Sequence, residues 1–238
     1  MALSSTQHEQ KMLHFQILPA ELNKELIKYI PQGMYYVLSY LNDFKKFIKN
    51  NNINDICRYA AQNGHLEVLK WARANGAEWD EYTCANAAKN GHLEVLKWAR
   101  SNGAEWNAST CASAAENGHL EVLKWARGFH EDSPHEKCPW NEWTCSYAAQ
   151  NGHLEVLKWA HSQGCPWNSN DICTYAAEYG HLEVLKWARA NGAEWNAITC
   201  ANAAKNGHLE VLKWARGFHE DSPHEKCPWD EQIGRAHV

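Results

Sequence analysis

The sequence has no apolar run approaching the ~18 residues that a bilayer crossing requires, so nothing in it reads as a membrane span. It also has no block of like charge. The net charge is −5, and the 23 Lys and Arg residues recur singly, as Lys70 and Arg73 do, which excludes the basic stripe of a nucleic-acid binder. The opening Met1-Ala2-Leu3-Ser4-Ser5-Thr6 lacks the basic-then-apolar order of a secretory signal. The nine cysteines are therefore expected as thiols in a reducing, cytoplasmic setting. Gly-x-Gly-x-x-Gly, Gly-x-Ser-x-Gly and His-Glu-x-x-His do not occur, so no nucleotide, hydrolase or zinc-protease signature is present. Phenylalanine is scarce at 5 residues while tryptophan reaches 13, a bias that needs a cause.

The cause is repetition. Gly-His-Leu-Glu-Val-Leu-Lys-Trp-Ala occurs six times, starting at Gly64, Gly91, Gly118, Gly152, Gly180 and Gly207. The spacings are 27, 27, 34, 28 and 27 residues, a period at which each unit must bury its apolar face on a neighbour. Seven residues before each Gly stands a cysteine: Cys57, Cys84, Cys111, Cys145, Cys173 and Cys200. The stretch Thr83-Cys84-Ala85-Asn86-Ala87-Ala88-Lys89-Asn90 reads as a short helix of small residues, with Thr or Asp before it as the cap and Gly91 ending it. The next stretch, His92 to Arg100, is amphipathic at helical period. Leu93, Val95, Leu96, Trp98 and Ala99 face inward, and Glu94, Lys97 and Arg100 pair weakly outside. A second tryptophan follows fifteen residues after the Gly at Trp79, Trp106, Trp167 and Trp195. Trp140 and Trp229 come after seven extra residues.

Ala-Ala-Lys-Asn-Gly-His-Leu-Glu-Val-Leu-Lys, followed by Asn-Gly-Ala-Glu-Trp-Asn-Ala, resembles the ankyrin repeat over about residues 53–231. The period is about six residues short of the family's ~33. The gap falls where the family places its β-hairpin finger, Thr-Cys-Ala-Asn replaces Thr-Pro-Leu-His, and a tryptophan replaces a helix-two leucine. The expectation is an all-α, ankyrin-like helix-turn-helix solenoid of six repeats with little or no strand. Short, fingerless, Cys- and Trp-rich repeats of this kind are similar to those of large DNA viruses of protists and of some protists.

The two ends differ from the repeats. Residues 1–12 are polar and are expected to be disordered. Residues 13–52 resemble an F-box, with Leu18, Pro19, Leu22, Ile27, Ile30 and Pro31 matching that family's pattern together with Leu41-Asn42 and Phe44. The resemblance implies a partner, the linker subunit of a cullin–RING ubiquitin ligase. Without it, the segment reads as a helical cap and the chain as a general interaction scaffold. Residues 232–238 fit no repeat position, and Ile233-Gly234-Arg235-Ala236-His237-Val238 reads like a translated sequencing-library adapter, so the natural frame is expected to continue past about Glu231.

Each recurring polar group has a structural reading. The motif cysteines lie one repeat apart, roughly 10 Å in a stack, beyond the ~7 Å that a disulfide tolerates, and read as core thiols. The six motif histidines read as a scaffold hydrogen bond at the turn. The insertion from Gly128 to Trp140 recurs from Gly217 to Trp229 within 24 identical residues. Its His130, Asp132, His135 and Cys138 carry zinc-binding groups without standard zinc spacing, so it reads as a bulged loop, and no metal, cofactor or catalytic residue is expected. Repeat-to-repeat variation concentrates at the first, second and fifth positions after each cysteine. The partner-binding candidates are Arg58, Tyr59 and Gln62, then Asn86 and Lys89, Ser113 and Glu116, Tyr147 and Gln150, Tyr175 and Glu178, and Asn202 and Lys205. The first and fifth positions are i and i+4 neighbours, and the resemblance puts this helix on the concave face, where a protein partner is expected.

Overall fold

A computed structural model of the chain describes residues 53–229, apart from 75 and 81. The F-box-like residues Leu18, Pro19, Leu22, Ile27, Ile30 and Pro31, the expected disordered start and the 232–238 tail lie outside the described residues. Among the described residues the fold is all-helical, with no strand. Twelve helices form six pairs: α1 (Ile53–Gln62) with α2 (Leu66–Ala74), α3 (Thr83–Lys89) with α4 (Leu93–Ser101), and α5 (Ala108–Glu116) with α6 (Leu120–Ala126). They continue as α7 (Glu142–Gln150) with α8 (Leu154–Ser162), α9 (Ser169–Glu178) with α10 (Leu182–Ala190), and α11 (Ala197–Lys205) with α12 (Leu209–Ala215).

The first helices of the last four pairs begin at an asparagine. Asn107, Asn141, Asn168 and Asn196 each accept a backbone N–H two residues on, and Asp80 does so for Tyr82 at 3.0 Å. The expected Asp cap gives way to asparagine in those four units, and Asp80 instead holds the turn just before α3, accepting from the Tyr82 N–H and the Thr83 hydroxyl. Thr83, Thr110, Thr144 and Thr199 are instead buried within their helices, and Ile172 takes the same place in the fifth unit. Each first helix buries its Cys and, in all units but the last, most of its alanines. Each second helix buries its Val and, in all units but the last, the Leu that follows. These side chains join into one continuous core along the stack. Small residues let successive first helices approach far more closely than successive second helices do. The tighter side of a stack is its inner side, so the array curves toward the first helices.

One joint recurs between units. The motif histidine of each unit donates from Nε2 to the carbonyl of the last residue of the preceding first helix: His92 to Gln62, His119 to Lys89, His153 to Glu116, His181 to Gln150 and His208 to Glu178, at 2.9–3.2 Å. Each bond satisfies a carbonyl that the helix end would otherwise leave without an intrahelical partner. The ring lies flat over the motif glycine of the preceding unit. A Cβ on Gly91 would stand 2.7 Å from His119 Cε1, and one on Gly180 would stand 2.5 Å from His208 Nδ1. Both glycines also hold positive φ, +73° and +78°, which side-chain-bearing residues rarely adopt. Gly-His is thus a seat and its occupant, supplied by adjacent units.

The outer side carries a second brace. Loop tryptophans meet the second-helix tryptophan of the next unit edge to face: Trp79–Trp98, Trp106–Trp125, Trp140–Trp159, Trp167–Trp187 and Trp195–Trp214, at 5.8–6.0 Å. They cover the joints between units. The guanidinium at the end of the second helix lies over the loop tryptophan of its own unit, 4.2 Å for Arg100 on Trp106 and 3.9 Å for Arg127 on Trp140. His161 replaces Arg in the fourth unit and keeps the contact, 4.2 Å from Trp167. Glu and Lys of the second helices pair at i,i+3 on the exposed face, as between Glu155 and Lys158 at 2.8 Å.

The joint sets an expected hierarchy in urea unfolding. His119→Ala loses one hydrogen bond and should cost about 1–2 kcal/mol. Gly91→Ala adds backbone strain and displaces the ring, so it should cost more. The double variant should cost less than the sum, because removing the ring relieves the clash. Strict additivity would mean that ring and glycine do not share a seat.

Candidate functional site

Catalysis needs unlike groups converging once. The polar groups here recur instead, and among the described residues no three His, Cys, Asp or Glu side chains gather as a metal site. The insertion shows why. Cys138 is fully buried with its thiol toward the Asn107 carbonyl, 3.4 Å. Asp132 pairs with Lys97 at 2.7 Å, and Glu136 pairs with Arg100 at 3.1 Å. His130 lies 3.5 Å from Glu121, and His135 is exposed. The four zinc-capable residues therefore point to different places. The insertion reaches back to the second helix of the preceding unit, and its twin repeats the brace through Asp221–Lys186 and Glu225–Arg189. An open depression beside it, lined by Glu121, Lys124, Phe129 and Asp132, holds no buried polar cluster.

All nine cysteines are free and buried. Burial pushes the thiol of Cys57 up from the usual 9.0 to about 11, and those of Cys84 and Cys173 to about 12. A comparison of motif cysteines alone misses a feature of the other three. The loop thiols of Cys138, Cys165 and Cys227 fold back onto the motif thiols of their own units, Cys111, Cys145 and Cys200. The thiol–thiol hydrogen bonds, followed by burial, hold Cys145 and Cys200 far above the ordinary range. For Cys138 burial is the larger cause and the bond with Cys111 the smaller. The signal in the sequence is a Cys in place of the loop alanine: Cys138, Cys165 and Cys227 stand where Ala77, Ala104 and Ala193 do elsewhere.

The variable residues of the first helices divide by burial. Tyr59, Asn86, Ser113, Tyr147, Tyr175 and Asn202, second after the cysteine, are partly exposed. So are Glu116, Gln150 and Glu178 at the fifth position, while Gln62, Lys89 and Lys205 there are exposed. The first position behaves differently. Arg58 is exposed and pairs with Asp80 at 2.7 Å, and Thr174 and Ala201 are partly exposed, but Ala85, Ala112 and Ser146 are buried. The first position therefore shares an exposed face with the fifth in some units and not in the second, third and fourth. Where it is buried it holds only Ala or Ser, because a packed seam accepts small residues.

The solvated stripe instead combines the second and fifth positions with the residue two before the cysteine, at i, i+4 and i+7 spacing. That residue is Tyr82, Ser109, Trp143, Asp171 or Ile198, exposed in every case except the partly buried Asp171. Sequence reasoning missed it by looking only after the cysteine, although helical periodicity and its variation both mark it. Bonds cross between units along the stripe: Lys89 lies 3.6 Å from Glu116, Gln150 donates to the Tyr179 hydroxyl at 3.0 Å, and Asn202 donates to Glu178 at 3.1 Å.

A family model described as ankyrin repeats (many copies) matches residues 84–127 and 173–216. Among solved structures, the chain is similar to the crystal structure of the human ASB11 ankyrin repeat domain. The identity is 19%, the match covers 66% of this chain and 80% of that one, and the TM-score is 0.51, a likeness of fold. No curated protein matches the sequence. Residues 84–127 and 173–216 match ankyrin repeats, and the helical stack shares the fold of that solved structure.

Two sets of shifted groups fix an expected pH window. Burial lowers His119 and His181 below the usual 6.5, against the backbone hydrogen bonds that raise them. Their contribution is present above that value and is lost as acid protonates the unfolded chain more readily than the folded one. The buried thiols of Cys57, Cys84 and Cys173 are raised, so their contribution is present below 9.0 and is lost as alkali ionises the unfolded thiols first. Urea midpoints measured from pH 5 to 10.5 should peak between about 7 and 9 and fall on both sides.

Proposed function

We propose that this chain is a non-enzymatic receptor that binds a protein partner along the first-helix stripe, and that residues 13–52 hook the captured partner to a cullin–RING ubiquitin ligase. Ankyrin repeats mark protein–protein interaction modules, and the stripe supplies the specificity. The observation that carries the reading is the division of labour within one chain. The motif glycine, histidine, cysteine and second-helix core stay constant through six units, while the exposed positions of the first helix change from unit to unit. A stack that served only its own stability would have no reason to diversify one exposed stripe while holding the opposite helix fixed. Recognition needs such diversity, with aromatic anchors such as Tyr147 and Tyr175 among polar neighbours.

The ligase hook rests on the F-box-like pattern of Leu18, Pro19, Leu22, Ile27, Ile30 and Pro31 ahead of a repeat receptor. The pairing of such a hook with short, fingerless repeats resembles proteins of large DNA viruses. Nine unbridged thiols suit a reducing cytoplasmic setting. Among the described residues no helix is long and apolar enough to cross a membrane.

The hook is tested by capture of the purified linker subunit of a cullin–RING ligase. Capture should be lost in the Leu18→Ala, Pro19→Ala, Leu22→Ala variant, whose helical content should be unchanged. No capture by the folded wild-type chain would leave residues 13–52 as a cap and the chain as an interaction scaffold without a ubiquitin link. The receptor is tested separately. Tyr59→Ala, Tyr147→Ala and Tyr175→Ala together should abolish retention of the partner while the array stays folded, and retained binding would refute the stripe.

A further inference from the structure

Five of the six units end the first helix with asparagine: Asn63, Asn90, Asn117, Asn151 and Asn206. Each side-chain amide donates to the carbonyl four residues back, at 2.8–3.1 Å, closing the helix end. The fifth unit gives this bond up. Tyr179 stands in its place, 47% exposed, with its hydroxyl accepting from Gln150 of the fourth unit. The backbone still closes this helix end, with the Tyr179 N–H donating to the Tyr175 carbonyl at 3.0 Å, so what the fifth unit lacks is the second, side-chain bond that asparagine adds, and an exposed ring stands in its place. The neighbouring unit carries a second departure. Trp143 is 42% exposed where the third unit has Ser109, and its ring lies 5.6 Å from Tyr147. Tyr175 completes the group, close enough to Tyr147 and Tyr179 to feel both.

Charge coincides with the rings. The helices α5, α7 and α9 contain Glu116, Glu142, Asp171 and Glu178 and not one Lys or Arg, whereas the first helices on either side contribute Lys89 and Lys205. The middle of the stripe is therefore aromatic and anionic, bounded by cations. A guanidinium or ammonium fits that combination, because it can lie on a ring face while hydrogen-bonding a carboxylate. The same chain already uses the first half of this chemistry internally, with Arg100 and Arg189 stacked on Trp106 and Trp195 at 4.2 and 4.3 Å. Burial first, and then the charges of Asp171 and Glu178, raise the Tyr175 phenol above its usual range, so it meets a ligand as a neutral ring.

We propose that the surface formed by Trp143, Tyr147, Tyr175 and Tyr179, with Glu142 and Glu178 beside them, is the docking site for an arginine-bearing segment of the protein partner. The proposal rests on the receptor reading and names the chemistry of what that receptor holds. An extended segment suits the site, because the aromatic positions run along two adjacent helices instead of closing into one pocket. The cations at Lys89 and Lys205 would repel a longer basic tract, which limits the favoured stretch to the width of about three repeats, roughly 30 Å.

The test uses the full chain and a labelled nine-residue peptide of alternating arginine and glycine, followed by fluorescence anisotropy. A second peptide carries glutamate in place of every arginine. The wild-type chain should bind the arginine peptide, more weakly as salt is raised, and should not bind the glutamate peptide. Tyr179→Asn and Trp143→Ser install residues that sister units already use, so the array should fold. Tyr179→Asn alone should raise the unfolding midpoint slightly by adding the side-chain bond to the Tyr175 carbonyl that the sister units carry. Together these two changes should weaken arginine-peptide binding at least tenfold, as should Glu142→Gln with Glu178→Gln. No binding of the arginine peptide, equal binding of both peptides, or unchanged affinity in these variants would overturn the proposal. A partner lost with the three-tyrosine variant but insensitive to salt and to the Glu→Gln changes would overturn the cationic ligand while leaving the receptor reading intact.

Discussion

The seating of a histidine ring over a glycine of the preceding unit is the constraint on which the rest of the structure depends. It requires a residue without a Cβ, in a backbone conformation that glycine alone adopts cheaply, and a ring whose Nε2–H reaches a helix-end carbonyl. Those demands fix the register of each unit on the last one. They also explain why the nine-residue motif survives six copies, while the loops between copies vary in length from one unit to another. The seven-residue insertion is tolerated because it leaves the joint untouched. It adds ion pairs on the outer surface, each worth ~0.2–1 kcal/mol, at a place where neither core nor joint is disturbed.

A joint of this strictness frees other positions. Once the ring, the thiols, the alanines and the tryptophan braces hold one unit on the next, the inner helices need only stay small where they touch. Everything on their solvated stripe can change without loss of the stack. The result is a scaffold in which stability and recognition sit on different faces of the same short helix. Tyr179 is the exception that supports this division, since it is a place where the asparagine side-chain bond of the other five units has been given up for an exposed ring.

Much of this was legible in the sequence, because a repeated sequence reports its own constraints. The period and the two helical patterns placed the helix pairs. The recurrence of histidine at the turn pointed to a scaffold bond. What was not legible depended on burial. Ala85, Ala112 and Ser146 vary like surface residues, but they lie in a seam where any small side chain fits, and variation by itself does not separate the two cases. The residue two before each cysteine is a different case, since helical periodicity and its own variation mark it, but it lies outside the stretch after the cysteine where the variation concentrates. The pairing of Cys145 with Cys165 and of Cys200 with Cys227 depends on how the loop folds back, which spacing between motif cysteines does not encode.

The most direct test of the account removes one full period. Deleting residues 91–117 joins Asn90 to Gly118 and rebuilds every joint, with His119 seated on Gly64 as His92 is now. If the joint alone sets the register, the shortened chain will unfold in a single cooperative urea transition, at a somewhat lower midpoint, with its tryptophan near-ultraviolet signal preserved. Loss of cooperative unfolding or of the tryptophan signal would show that the stack depends on contacts particular to individual units, and would contradict the account.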